Sequence, residues 1–192
     1  MPNRIVTHEN KEFKNVEYAE KTLKNREFYD CKFVACNFLK SNLSGIKFQD
    51  CTFQDCNFSM AEFESVGFRN ATFIGCKILG VNFSRCNKHM FSFKFDNCIL
   101  DYCIFFGSKL KNTYFLGCSL KEADFSEADL TSAVFTNTDL TGTRFSNTLL
   151  EKSDFSNALN FAIDPEFNKL KNAKFSAHQL EGLLYKYQLD IV

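Results

Sequence analysis

Every fifth residue from Phe13 to Phe83 is large and apolar without a miss: Phe13, Tyr18, Leu23, Phe28 and Phe33 open the series, and Phe68, Phe73, Ile78 and Phe83 close it. A second series on a shifted register alternates Leu and Phe from Leu100 to Phe155. A five-residue period is neither the ~3.6 of a helix nor the ~2 of a strand. It marks a repeat architecture, in which a short unit buries its apolar face only by stacking on its neighbours.

The position two residues before a centre is small over most of the chain, except near the N-terminus, where Lys11, Lys21 and Arg26 fill it and the first coil is expected to be loose. The slot holds all nine cysteines, among them Cys31, Cys36, Cys76, Cys98 and Cys118, and elsewhere Ala61, Ala123, Thr138 or Thr143. A free Cys behaves as a small hydrophobe, and the five-residue spacing explains pairs such as Cys31 and Cys36 without a ligand. The cysteines are therefore read as structural thiols, with a metal site or disulfide as the alternative.

Two inward positions in five, with polar residues between, describe a flat side followed by a turn. Four such sides close a square coil of twenty residues, and the second half supports that length. Phe95, Phe115, Phe135, Phe155 and Phe175 would form one column, and Leu110, Leu130, Leu150 and Leu170 another. Coils spaced about 4.8 Å apart make a rod roughly 40 Å long.

The lattice breaks twice. Phe83 to Phe95 spans twelve residues, so two extra residues lie within 84–94. The segment holds Lys88, His89, Met90 and Phe91, and reads either as a bulged corner or as a protruding contact loop. Between Phe155 and Phe175, Asn160 and Pro165 occupy the expected centres, which predicts one distorted coil over 156–174. Residues 1–175 thus form the solenoid, and 176–192 a separate end. There Ser176 and Gln179 have the spacing of a helix N-cap box. Leu180, Leu183, Leu184 and Tyr187 follow at helical spacing. Gly182 is expected to weaken that helix slightly. The tail 188–192 alternates like a short strand. With Leu189 and Ile191, this apolar end is expected either to cap the core or to pair with its twin across a two-fold axis.

Composition narrows the function. Lys+Arg and Asp+Glu both total 23. The three histidines, His8, His89 and His178, are scattered, and no phosphate loop or serine elbow is present. Catalysis and a cofactor are not expected. Direct nucleic-acid binding is not expected either, since no dense basic stripe occurs and the core consumes the aromatics. No apolar run approaches a membrane span and no secretory leader opens the chain, so a cytoplasmic location is expected. Charge is uneven, however. Within 122–166 nine acids face Arg144 and Lys152 alone. Glu122, Asp124, Glu127, Asp129, Asp139 and Asp154 are the candidate acidic band. The four aspartates each precede a centre, which suits either a binding surface or ordinary turn chemistry.

The unit small–polar–Phe/Leu–polar–polar, as in Cys56-Asn57-Phe58-Ser59, resembles the pentapeptide repeat proteins over roughly residues 13–175. That resemblance implies an all-β fold, a right-handed quadrilateral β-helix with a short C-terminal helix. Residues 155–164, Ala173-Lys174-Phe175-Ser176, Leu183-Leu184 and Leu189-Asp190-Ile191 are similar to the ending of the topoisomerase-protecting branch (Qnr, MfpA, McbG and AlbG types). The resemblance implies a homodimer through the C-terminal end, a rod that mimics DNA, and binding to DNA gyrase or topoisomerase IV. It further implies protection of that enzyme from quinolones or from poisons such as albicidin. Two features depart from the branch: the neutral net charge and the shortness of the 84–94 segment. A scaffold for an unrelated protein partner is the rival reading.

Overall fold

A computed structural model describes residues 4–190. The chain winds as one parallel β-solenoid of about eight coils and ends in a short helical segment. Strand pairing carries the twenty-residue register directly: Phe13 pairs with Phe33, Phe33 with Phe53, and Phe53 with Phe73. After one step of 22 residues, from Phe73 to Phe95, the series runs on through Phe115, Phe135, Phe155 and Phe175. Isolated bridges such as Asn37↔Asn57 and Asp129↔Leu149 connect the other faces in parallel. The inward columns define four faces: the column of the first runs from Tyr18 to Leu140, that of the second from Leu23 to Phe145, that of the third from Phe28 to Leu170 and that of the fourth from Phe13 to Phe175.

Each corner follows from one backbone choice. The second residue after a centre adopts a left-handed conformation, as at Asn15 (φ 52°), Asp50 (φ 54°) and Gly75 (φ 61°). Asn, Asp and Gly tolerate that region best, which explains their frequency there. The inward positions build a dry core. Phe38, Phe58, Phe105, Phe125 and Phe155 are fully buried. Rings stack along each column, with centroids 4.5 Å apart for Phe38–Phe58 and 5.1 Å for Phe115–Phe135. Between columns they meet edge to face, as at Phe105–Phe115 (81°). Both geometries favour the ring quadrupole, and each pair adds about 0.5–1.5 kcal/mol beyond its burial.

All nine cysteines are buried with free thiols. Most also donate. Cys51 Sγ reaches the Phe28 carbonyl at 3.5 Å and Cys76 Sγ the Phe53 carbonyl at 3.3 Å, 23 residues back in each case. Where the slot holds a hydroxyl, the same bond forms: Thr143 Oγ1 to the Leu120 carbonyl is 2.8 Å, and Thr148 Oγ1 to the Phe125 carbonyl is 3.0 Å.

The two lattice breaks are resolved differently. At 84–94 a short 3-10 turn, Phe83–Arg85, leads into a bulge that rejoins the sheet as strand Phe91–Asp96. The register shifts between Phe68 and Ala71. Phe93 takes a slot that elsewhere is small and fills the core against Phe68 (5.4 Å) and Phe83 (5.5 Å). At the second break, Asn160 and Pro165 are not inward centres. Asn160 is exposed in the left-handed conformation (φ 56°) and Pro165 is exposed. Phe161 and Ile163 go inside in their stead, 5% and 0% exposed. The buried Asn168 amide then closes the coil by donating to the Phe145 carbonyl at 3.2 Å and accepting from Thr148 N–H at 3.0 Å.

The C-terminal segment also departs from expectation. It is a 3-10 turn (Ala177–Gln179), a single α-turn (Glu181–Leu184) and a second 3-10 turn (Tyr185–Tyr187). Ser176 Oγ accepts from His178 N–H at 3.3 Å, but Gln179 Oε1 is buried without a partner, so the N-cap box is not reciprocal. Residues 188–190 form no strand. Gln188 stops the helix in the left-handed conformation (φ 50°), and Ile191 lies outside the described residues. Gly182 is the docking point of this segment, not a weakness in it. A Cβ there would meet the Phe161 carbonyl and would stand 2.6 Å from its ring. The Gly182 carbonyl accepts from Ile163 N–H at 2.9 Å.

Candidate functional site

The aspartates of the acidic band are bound twice over. Each Oδ1 accepts the backbone N–H two residues on: Asp124 from Ser126 (2.9 Å), Asp129 from Thr131 (3.2 Å), Asp139 from Thr141 (3.1 Å) and Asp154 from Ser156 (3.0 Å). Asn37, Asn42, Asn57 and Asn82 make the same bond elsewhere in the rod, so an amide suffices for the turn. The charge is additional, and each one has a cation. Asp129 meets Lys111 and Asp139 meets Lys121, both at 3.2 Å, while Asp124 meets Arg144 at 3.5 Å and Asp154 meets Lys174 at 3.6 Å.

These contacts set the carboxylate chemistry. Partial burial works against the charged form of Asp139, but hydrogen bonds from Thr141 and Asn160 and the Lys121 ammonium outweigh it and hold the pKa down to about 2. Burial likewise opposes ionisation at Asp129, and Thr131 and Lys111 prevail. At Asp154 the Ser156 hydroxyl and N–H lower the pKa, with Lys174 assisting.

The band is a belt, not a stripe. Asp139 is bridged to Ser119 and Leu159 on the first face, Asp124 to Ile104 and Arg144 on the second, and Asp129 to Lys109 and Leu149 on the third. Asp154 lies on the fourth, beside Lys174. A flat partner meets one or two of these at a time. Glu122 and Glu127 are different: both stand at corners with positive φ (56° and 59°), exposed and in no ion pair among the described residues. They are the band's free charges.

At the candidate contact loop, Lys88 and His89 are exposed, whereas Met90 and Phe91 are half-buried. The Met90 carbonyl accepts from Phe68 N–H at 2.7 Å. The segment is therefore a core-filling bulge with two exposed polar side chains at its tip.

At the C-terminal end, Leu180, Leu184, Tyr187 and Leu189 are exposed, by 36% at Leu184 to 58% at Leu189. Leu183 instead packs against the core. Leu159, Phe167 (62% exposed) and Tyr185 are also exposed apolar side chains of the last coils and were not picked out by spacing. Leu159 could have been: it occupies the outward position that Asp139 and Ser119 fill one and two coils earlier. Lys186 ties the segment down through Asp164 (3.0 Å) and Glu166 (2.8 Å). Its pKa is raised, by the Glu166 contact first and by Asp164 after it. Among the described residues, no group of three or more His, Cys, Asp or Glu could hold a metal ion, and no helix is long and apolar enough to cross a membrane.

Comparison with known proteins agrees with this architecture. A profile described as "Pentapeptide repeat region" matches residues 46–125 and 108–184. No curated protein matches. Among solved structures, a trypsin-treated form of QnrB1, a plasmid-mediated fluoroquinolone resistance protein, aligns with a TM-score of 0.58 at 18% identity, covering 98% of this chain and 99% of that one. A second trypsin-treated form aligns at 0.52 and 17% identity over 94% and 100%. HetL, a pentapeptide repeat protein involved in heterocyst differentiation regulation from Nostoc sp. strain PCC 7120, aligns at 0.45 and 16% identity over 91% and 86%. With two overlapping profile matches across more than half its length, the chain belongs to the pentapeptide repeat family.

Proposed function

We propose that the protein acts as a DNA-shaped rod that binds a type II topoisomerase, DNA gyrase or topoisomerase IV, and protects it from quinolones or from natural-product poisons such as albicidin. The observation that carries this reading is the likeness in fold to a trypsin-treated form of QnrB1, whose alignment spans 98% of this chain and 99% of that one at 18% identity. Two features support it. The exposed apolar end of Leu180, Leu184, Tyr187 and Leu189 suits a homodimer that doubles the rod. Glu122 and Glu127 offer free negative charge to a basic DNA-binding surface.

The same geometry favours a second reading at one point. Because Asp124, Asp129, Asp139 and Asp154 sit on four faces and are each ion-paired, they suit a scaffold for an unrelated protein as well as they suit mimicry of a polyanion. The deciding assay is gyrase supercoiling with the purified protein, titrated with and without a quinolone, then with albicidin. Topoisomerase protection predicts rescue of supercoiling, or inhibition of gyrase by the protein alone. No effect of either kind at large protein excess leaves the scaffold reading.

A further inference from the structure

Three cations fill the normally small inward slot near the N-terminus, and one of them is out of place. Lys11 and Lys21 are exposed, and Lys21 Nζ turns back to donate to the Glu17 carbonyl at 2.7 Å. Arg26 is half-buried at the foot of a column that Ile46 and Val66, both fully buried, continue along the third face. Its guanidinium donates to His8 Nε2 at 3.3 Å, and an imidazole that accepts there is uncharged. Neither Arg26 nor Lys24 is in an ion pair among the described residues. A half-buried charge without a counter-ion is unfavourable. The core does not require one, since aliphatic side chains fill the same slot in the next two coils.

Arg26 and Lys24 share the wall of a cleft of about 500 Å³ at the corner between the second and third faces, to which Thr22, Asn25 and Ser44 add hydroxyl and amide groups. One carboxylate lies on that wall, Glu27, and it is already engaged: Lys47 meets it at 2.7 Å and the Tyr29 hydroxyl donates to it at 2.8 Å. Glu62 and Glu64 stand one coil beyond Asn42 and Ser44, Glu62 held by the Asn42 amide and Glu64 by Arg85 at 3.7 Å. The cleft therefore keeps two uncompensated cations. At the Gly45 corner, where a Cβ would meet nothing within 4 Å, it opens to solvent.

We propose that this cleft is a binding site for a phosphate-bearing small molecule. The Arg26 guanidinium takes two phosphate oxygens, the Lys24 ammonium meets the second negative charge, and Thr22, Asn25 or Ser44 donates to the oxygens that remain. A phosphate dianion matches the two free cations, whereas a single carboxylate leaves one of them unmatched. The volume falls within the range of about 300–1,000 Å³ typical of small-ligand sites, which favours a free small molecule over a macromolecule. The cleft lies at the opposite end of the rod from Leu180 and Leu184 and includes no residue of the acidic band, so it stands or falls independently of the topoisomerase reading.

The test is heteronuclear NMR of the isotope-labelled full-length protein, titrated with inorganic phosphate and, separately, with acetate at constant ionic strength. Phosphate should shift the amides of Lys24, Asn25 and Arg26 saturably, with a Kd of about 1–10 mM. Arg26→Leu, which gives the slot an aliphatic side chain as at Ile46, should weaken binding about ten-fold, and so should Lys24→Ser. Acetate should bind about ten-fold more weakly than phosphate. Circular dichroism checks that both variants are folded, and the exposed Lys24→Ser change decides alone if Arg26→Leu is not. Shifts that fail to saturate by about 100 mM phosphate, equal affinity of the variants, or equal affinity for acetate would overturn the proposal. So would shifts of the same size at Lys77 and Lys88, because phosphate would then be gathering on exposed lysines at large.

Discussion

The slot two residues before each centre selects for more than size. Its thiols and hydroxyls donate to carbonyls of the preceding coil, as Cys36 Sγ does to Phe13 at 3.3 Å and Ser153 Oγ to Leu130 at 3.0 Å. Spacing alone identified the smallness and missed the donor, because Ala satisfies the same spacing. Thr148→Val keeps the shape and removes the bond, so it should cost about 1 kcal/mol in urea unfolding. Outward aspartates behave in the same local way. The Asp139 pKa is depressed from 3.8 to about 2, so its contribution to stability is complete above the unfolded value and is lost as pH falls from there through the folded value. Asp139→Asn retains the turn bond and should flatten the pH dependence of unfolding in that window. An unchanged acid profile would show that the Asp139 carboxylate, with its Thr141, Asn160 and Lys121 contacts, carries no stability in that window.

At the scale of elements, the coils were legible and the joints were not. The fifteen-member series ending at Phe83 marked the inward side chain of each face, and the Leu/Phe alternation from Leu100 to Phe155 supported the coil length, because one side chain in five decides them. The distorted coil escaped the pattern because it abandons the period: Phe161 and Ile163 alternate like a strand, and a buried amide, Asn168, supplies what an apolar centre would. Gly182 read as a poor helix residue because its constraint is a contact with Phe161, distant in sequence. Gly182→Ala should therefore destabilise the end by about 1–3 kcal/mol, the range of an overpacked contact. Hydrogen exchange would report it as lost protection over 177–187 with the coils unaffected. Leu184→Asp tests the proposed dimer from the outside of the same segment. The account predicts a halved mass by light scattering with the β-helix signal intact, and an unchanged mass would contradict dimerisation through this surface.

For the whole molecule, sequence charge counts suggested one acidic surface, and folding distributed it. A twenty-residue coil sends residues five apart to successive faces, so Asp124, Asp129 and Asp139 cannot share one, and lysines from outside the band reach in to pair with them. What remains for long-range recognition is the pair of free corner charges and the doubled rod. Reversing Glu122 and Glu127 to Lys should therefore weaken topoisomerase binding without a measurable stability change, since exposed unpaired sites seldom shift stability by more than about 0.5 kcal/mol. Reversing the paired aspartates would disturb turns as well and is the poorer test. The central claim, that this rod stands in for DNA, is tested most directly by competition: fluorescent duplex bound to gyrase, titrated with the purified protein while anisotropy is followed. The account predicts displacement of the duplex to completion, with the Glu122→Lys, Glu127→Lys variant requiring a higher concentration. Duplex that stays bound at saturating protein would contradict DNA mimicry.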